Sequence, residues 1–169
     1  THTEALRRLG IPVMGMLGIT DEESNGFVKR MGIPKAYGSL DDVAKDKDVD
    51  IVHLCTPNYL HYSMAKTLLE AGKHVLIEKP LANTSQEGAE LVQLAKDKKL
   101  IGAVNYSVRF YPMNQEARAR IRAGQIGEPR ILHAEYCQDW LFLPTDWNWR
   151  LIASEGGALR VVGDIGTHV

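Results

Sequence analysis

Lys73-His74-Val75-Leu76-Ile77-Glu78-Lys79-Pro80-Leu81-Ala82 is the stretch from which the fold can be read. Val75, Leu76 and Ile77 run without alternation, the pattern of a parallel strand covered on both faces, so residues 74–78 are expected to form a buried strand. Pro80 has no N–H to give to a ladder and stops the strand. Lys79 then stands at the carboxyl end of a parallel strand, the edge where open α/β sheets bind ligands. Residue type and position leave two alternatives: a lysine facing such a crevice, or an ordinary surface lysine at a strand end.

The pattern repeats on both sides. Residues 50–55, Asp-Ile-Val-His-Leu-Cys, read as a second buried strand, broken by Thr56-Pro57-Asn58 and followed by an amphipathic helix over 59–71 that Gly72 closes. Thr84-Ser85-Gln86-Glu87 has the form of a capping box and starts a helix to Lys98, after which 100–105 is again an apolar strand. Toward the start, a helix over 1–9 ends at Gly10, and a short strand spans 12–18. Asp21 caps a helix to Met31, Ala36-Tyr37 is a short strand, and Ser39 caps a helix over 40–47. Strands alternating with helices of these lengths mean βαβ units and a mainly parallel sheet, an α/β fold.

After Asn105 the pattern changes. Arg109, Tyr111 and Pro112 lie in a polar and aromatic loop, and a helix over 113–123 stops at Gly124. Residues 130–138 alternate apolar and polar, as in a half-covered strand of a second sheet. The stretch 140–149 holds all three tryptophans in a loop, and Gly156-Gly157 precedes a helix carrying Asp164 and His168. Two units are therefore expected, residues 1–105 and 106–169.

Composition sets bounds on function. The 169 residues are 44% hydrophobic and 24% charged, as in an ordinary globular protein. A net charge of −1 points to neither nucleic acid nor an anionic membrane. No apolar run approaches the roughly 20 residues that span a bilayer, and no signal peptide is recognised, so a cytoplasmic setting is expected. Cys55 and Cys137 form no framework and have no metal spacing, and no metal ligands are assigned. Cys55 reads as a small buried hydrophobe.

Asp164 and His168 are spaced i,i+4 and face one way on a helix. With a lysine they can do acid–base work on an alcohol, although a helical Asp–His pair is also what a plain surface contact looks like. The sequence resembles the Gfo/Idh/MocA family of oxidoreductases. The resemblance is carried by Cys55-Thr56-Pro57-Asn58 with His61, Glu78-Lys79-Pro80-Leu81, Asn105-Tyr106 with Arg109, and Gly163-Asp164-Ile165-Gly166-Thr167-His168. Their order and spacing match along essentially the whole chain.

The resemblance implies a Rossmann-type cofactor domain followed by the start of an α/β substrate domain with an open sheet. It implies a nicotinamide-dependent dehydrogenase acting on a sugar, polyol or related carbohydrate, with no nucleic-acid or membrane partner, and a homo-oligomer when full length. The family opens with a strand and a Gly-x-Gly-x-x-Gly turn for the pyrophosphate. Thr1 reads as already inside the first helix, so that strand and turn are expected to lie outside this sequence, as is the rest of the substrate domain beyond Val169. At the second strand of the family stands Gly18-Ile19-Thr20-Asp21. Asp21 can reach a ribose or cap a helix, and the absence of arginine there leans the NAD-or-NADP choice toward NAD.

By the same resemblance Lys79, Asp164 and His168 are the catalytic residues. His168 is assigned as base in oxidation, Lys79 as the cation that stabilises the developing alkoxide, and Asp164 as a holder of substrate hydroxyls. Which of Lys79 and His168 takes the proton stays open. Thr56, Pro57, Asn58, His61, Glu78, Lys79 and Asn105 are assigned to the cofactor. Lys79, Arg109, Trp149, Arg150, Asp164 and His168 are assigned to the substrate. His53, His74 and His133 lie in expected strands and read as structural. A strand that ends here while aiming Lys79 inward predicts a bond before Pro80 that is cis or otherwise sharply turned. Two other classes remain beside a dehydrogenase: a non-catalytic cofactor-binding regulator of the same fold, and a hydrolase or lyase that uses the cofactor transiently on a glycoside.

Overall fold

The computed structural model describes residues 2–168. Up to Asn105 helices and strands alternate: α1 (His2–Arg8), β1 (Gly15–Met16), α2 (Asp21–Met31), β2 (Lys35–Ala36), α3 (Leu40–Lys45), β3 (Ile51–Leu54), α4 (Asn58–Glu70), β4 (His74–Glu78), α5 (Ser85–Asp97) and β5 (Gly102–Asn105). All strand pairs are parallel. β4 has the bounds that its apolar run implied and is central to a three-stranded sheet of order β3-β4-β5, with Leu54 opposite Ile77 and Glu78 opposite Asn105.

β1 and β2 form a separate pair, so the single sheet expected from the alternation is found in two pieces among the described residues. The expected strand over 12–18 shrinks to two residues, paired among the described residues with the equally short β2. Both pieces share one core, in which Tyr37 and Val43 meet Leu54, Leu68, Val75, Ile77 and Leu91. β4 is not covered evenly: Val75 and Ile77 are each 2% exposed, whereas His74, Leu76 and Glu78 are partly open. One face of the sheet is sealed by α4 and α5 and the other is half-covered, which corrects the expectation of burial on both. Cys55, expected to be buried, is exposed, since it lies just past the last ladder residue of β3.

Local signals explain most element ends. Ser39 Oγ accepts from Asp42 N, and Thr84 with Glu87 makes the reciprocal capping box that starts α5. At α2 the cap is Thr20, not Asp21: the Thr20 hydroxyl accepts from Glu23 N at 3.2 Å, and Asp21 is the first helical residue. Gly32 then ends α2 at φ 58°, a left-handed conformation that glycine reaches without a Cβ penalty.

Lys73 is 8% exposed and donates to the carbonyls of Asp46 (2.5 Å) and Val49 (2.7 Å), fixing the loop that feeds β3. Lys73→Met would leave both carbonyls without their charged donor, and an ionic hydrogen bond contributes about 1.5–3 kcal/mol. We expect a loss of about 2 kcal/mol in urea unfolding of the full-length protein. An unchanged midpoint would mean that water replaces the ammonium there.

Beyond β5 a 3₁₀ turn (Ser107–Phe110) leads into α6 (Pro112–Arg122), which starts on Pro112 and stops before Gly124 at φ 73°. No strand forms over 130–138, contrary to the alternation: Ile131 and Leu132 are 92% and 87% exposed. His133 accordingly lies in coil. A strand exists by pairing, and no partner edge lies beside this segment among the described residues. The remainder is short: a 3₁₀ turn (Trp149–Leu151), α7 (Ala153–Gly156), α8 (Val161–Asp164) and a 3₁₀ turn (Gly166–His168). Asp164 and His168 therefore do not share one continuous helix as their spacing suggested.

Candidate active site

Parallel strands present all their carboxyl ends on one edge, so Thr56, Lys79 and Asn105 arrive together by topology alone. Thr56 follows β3, Lys79 follows β4, and Asn105 closes β5. The Lys79–Pro80 peptide is cis, as the sequence predicted. Lys79 is turned toward the later segment: its Nζ donates to the main-chain carbonyl of Asp164 (2.7 Å) and to the Asp164 carboxylate. Both side chains are largely buried, at 16% and 20% exposure. Arg150 Nε lies 3.4 Å from the same carboxylate, and its guanidinium stacks 4.4 Å from the ring centre of Trp149.

His168 completes the group. Its ring stands edge-on to Tyr106, 5.7 Å between centroids, and its Nδ1 is buried with no partner among the described residues. Burial and the Lys79 cation hold its imidazole below its ordinary value, against the opposing pull of Asp164 and Glu78. Lys79 and Asp164 thus pair at the carboxyl edge of the sheet, with His168 against Tyr106 and near enough for its imidazole to feel both charges, although α8 and the last turn lie far along the chain.

Glu78 sits behind Lys79 in a polar network. Asn105 donates to its Oε1 at 2.6 Å; the His2 ring lies 2.7 Å from the same oxygen through Nε2 and 2.9 Å from His53 Nδ1 through its own Nδ1. Burial alone would raise the Glu78 carboxyl, but the bonds from Asn105 and His2 outweigh it and hold the group below its usual value. Neither His2 nor this use of His53 was legible in the sequence, since no spacing links α1 to the end of β4.

The other expected residues fall in different places. Asn58 is 9% exposed and donates to the carbonyl of Gly156 at 3.1 Å, tying α4 to α7. Gly156 passes so close to the Arg150 backbone that a Cβ would lie 2.6 Å from the Arg150 carbonyl oxygen, so only glycine fits. His61 is fully buried, and both ring nitrogens face protein carbonyls. Arg109 is exposed on the 3₁₀ turn after β5, with no ion pair among the described residues. Beside Arg150 and Asp164 a hollow of about 230 Å³ is walled by Tyr136, Trp140 and Arg160, which the sequence did not single out beyond the tryptophan-rich loop. A larger, open hollow of about 580 Å³ lies by β2, away from these residues; there Lys35 and the Tyr37 hydroxyl both bond Asp46.

Residues 2–106 match the model of an oxidoreductase family with an NAD-binding Rossmann fold, and residues 114–169 match the C-terminal domain of the same family. The chain belongs to the Gfo/Idh/MocA family. It is 34% identical over 167 residues to a 1,5-anhydro-D-fructose reductase of Ensifer adhaerens, covering 97% of this chain and 48% of that protein. It is 34% identical over 142 residues to a levoglucosan dehydrogenase of Pseudarthrobacter phenanthrenivorans, covering 83% of this chain and 36% of that one. The structure of a levoglucosan dehydrogenase in complex with NADH and levoglucosan superposes with a TM-score of 0.86 at 31% identity, over 99% of this chain and 47% of that one. An oxidoreductase domain protein from Kribbella flavida superposes with a TM-score of 0.92 at 31% identity, over 99% and 48%. The chain spans about half the length, or less, of these relatives. As a Gfo/Idh/MocA member it has a Rossmann-like parallel sheet, found among the described residues in two pieces, β1-β2 and β3-β4-β5.

A dinucleotide fits this edge on the evidence of one orphan. Thr56 Oγ1 is buried with no hydrogen-bond partner among the described residues, at the carboxyl end of β3. A buried hydroxyl without a partner calls for one, and this crevice is where such sheets hold their ligands. No helix among the described residues is long and apolar enough to cross a membrane.

Proposed function

We propose that the full-length protein is an NAD(P)-dependent dehydrogenase or reductase acting at a hydroxyl-bearing carbon of a sugar, polyol or anhydrosugar. The observation that carries it is the Lys79 ammonium held by Asp164 beside His168, at the sheet edge that the family uses for its cofactor. A bound nicotinamide would supply the hydride acceptor or donor for the substrate carbon. The chain's own residues do the rest. His168, kept neutral by burial, accepts the hydroxyl proton in oxidation and returns it in reduction. Lys79 donates to the reacting oxygen and stabilises its developing charge. Asp164 aims Lys79 and holds Arg150 at the substrate side.

Residues 1–105 form the cofactor half, and 106–169 begin the substrate half. Thr56 and the Glu78–Asn105 pair face the cofactor. The hollow with Trp140 and Arg150 forms the sugar mouth, with an aromatic face for C–H surfaces and a guanidinium for hydroxyls. The end of β1 carries no arginine for an extra phosphate, which favours NAD. A cytoplasmic homo-oligomer completes the assignment.

The test is cofactor reduction by the full-length protein, followed by ultraviolet absorbance, across a panel of sugars, polyols and anhydrosugars. Levoglucosan and 1,5-anhydro compounds belong in the panel because relatives are named for them. Turnover of at least one is expected; tight cofactor binding with none turned over would point to a regulator instead.

A further inference from the structure

His61 carries an inference that none of its relatives' names records. It lies one turn into α4, is 0% exposed, and touches no crevice surface. Its Nδ1 is 2.7 Å from the carbonyl oxygen of Pro80, and its Nε2 is 2.8 Å from that of Thr56. One ring therefore spans from the end of β3 to the residue after Lys79. Two carbonyls at adjacent strand ends have no ladder of their own to bond to, and buried carbonyls need donors. A short rigid imidazole, fixed by the packing of α4, reaches both and donates its one N–H to one of them when neutral.

We propose that His61 is a positioning residue: its Nδ1–H donates to the Pro80 carbonyl, ties the start of α4 to the carboxyl end of β4 and thereby sets where the Lys79 ammonium stands. Asn58, three residues earlier on α4, donates to the Gly156 carbonyl, so the start of α4 contacts the ends of β3 and β4 and also α7. The proposal rests on the dehydrogenase reading for its effect on turnover, but the tie itself is a statement about geometry.

A neutral imidazole donates to only one of the two carbonyls, and paired variants of the full-length protein separate them. His61→Asn leaves an amide nitrogen near the place of Nδ1, within reach of Pro80. His61→Gln leaves one near Nε2, within reach of Thr56. His61→Leu leaves neither. Displacing a catalytic group by an ångström costs roughly 100-fold. The expected result is a fall in kcat of that order, roughly 100-fold, for His61→Leu, a comparable fall for His61→Gln, and kcat within about threefold of the wild type for His61→Asn. Cofactor Kd should change by less than about threefold in all three, as a positioning role at the reacting oxygen requires.

Crystal structures of the variants supply the second readout: Lys79 should leave Asp164 in His61→Gln and stay in His61→Asn. If His61→Leu does not fold, the Asn and Gln pair decides alone. Equal losses in Asn and Gln, or Lys79 unmoved in Gln, overturn the proposal. If the wild type turns over no carbohydrate, the dehydrogenase reading fails, and the position of Lys79 in the variant structures still decides the tie.

Discussion

Lys79→Ala in the full-length protein is expected to lower kcat by about 100-fold or more while leaving cofactor Kd nearly unchanged, because groups that move protons or stabilise developing charge typically contribute that much. The geometry gives the reason for the split. The Lys79 ammonium is directed at Asp164, whereas the Thr56 hydroxyl, without a hydrogen-bond partner among the described residues, and the Asn105–Glu78 pair are the groups that we propose face the cofactor. Removing the ammonium also releases the Asp164 carboxylate to Arg150, its other cationic neighbour. Lys79→Arg should not rescue turnover: a planar fork cannot occupy the place of a compact ammonium that bonds both the carbonyl and the carboxylate of one residue. Pre-steady-state and steady-state rates with the best sugar of the panel measure the loss. A variant within about threefold of normal would remove Lys79 from the chemistry and favour a non-catalytic regulator.

What the sequence disclosed followed from how local each signal was. The run Val75-Leu76-Ile77 closed by Pro80 gave β4 its bounds, and Thr84 with Glu87 gave the start of α5, because strand breaking and capping act within a few residues. The alternation over 130–138 failed for the opposite reason. A strand is completed by a partner distant in sequence, and without one the same residues lie exposed. The spacing of Asp164 and His168 likewise suggested one helix, yet the helix breaks between them, and their meeting is arranged by Lys79 and Tyr106 from other segments. His61 shows the limit most clearly. Its place in the sequence put it near the cofactor, and only the fold reveals that both nitrogens face carbonyls just past two separate strand ends. Residues whose role is to hold other residues leave no spacing to read.

His168→Asn is expected to lower kcat/KM for oxidation by about 100-fold or more and to remove the acid limb of its pH profile, since a base that accepts the substrate proton contributes that much. In the wild type that limb reports the neutral fraction of the imidazole in the free protein. Burial, and after it the Lys79 cation, favour the neutral ring, so the limb should lie on the acid side of an ordinary histidine. Oxidation should therefore hold its rate to lower pH than an exposed histidine would allow. Two substitutions then move the limb in opposite directions, measured on residual activity. Lys79→Met removes a cause of lowering and should shift it toward higher pH. Asp164→Asn removes a group that raises the imidazole and should shift it toward lower pH. Burial is the largest cause and is untouched by either change, so neither shift should carry the limb to the opposite side of the profile. An acid limb that survives in His168→Asn would assign proton acceptance to another group, with Lys79 the first to test.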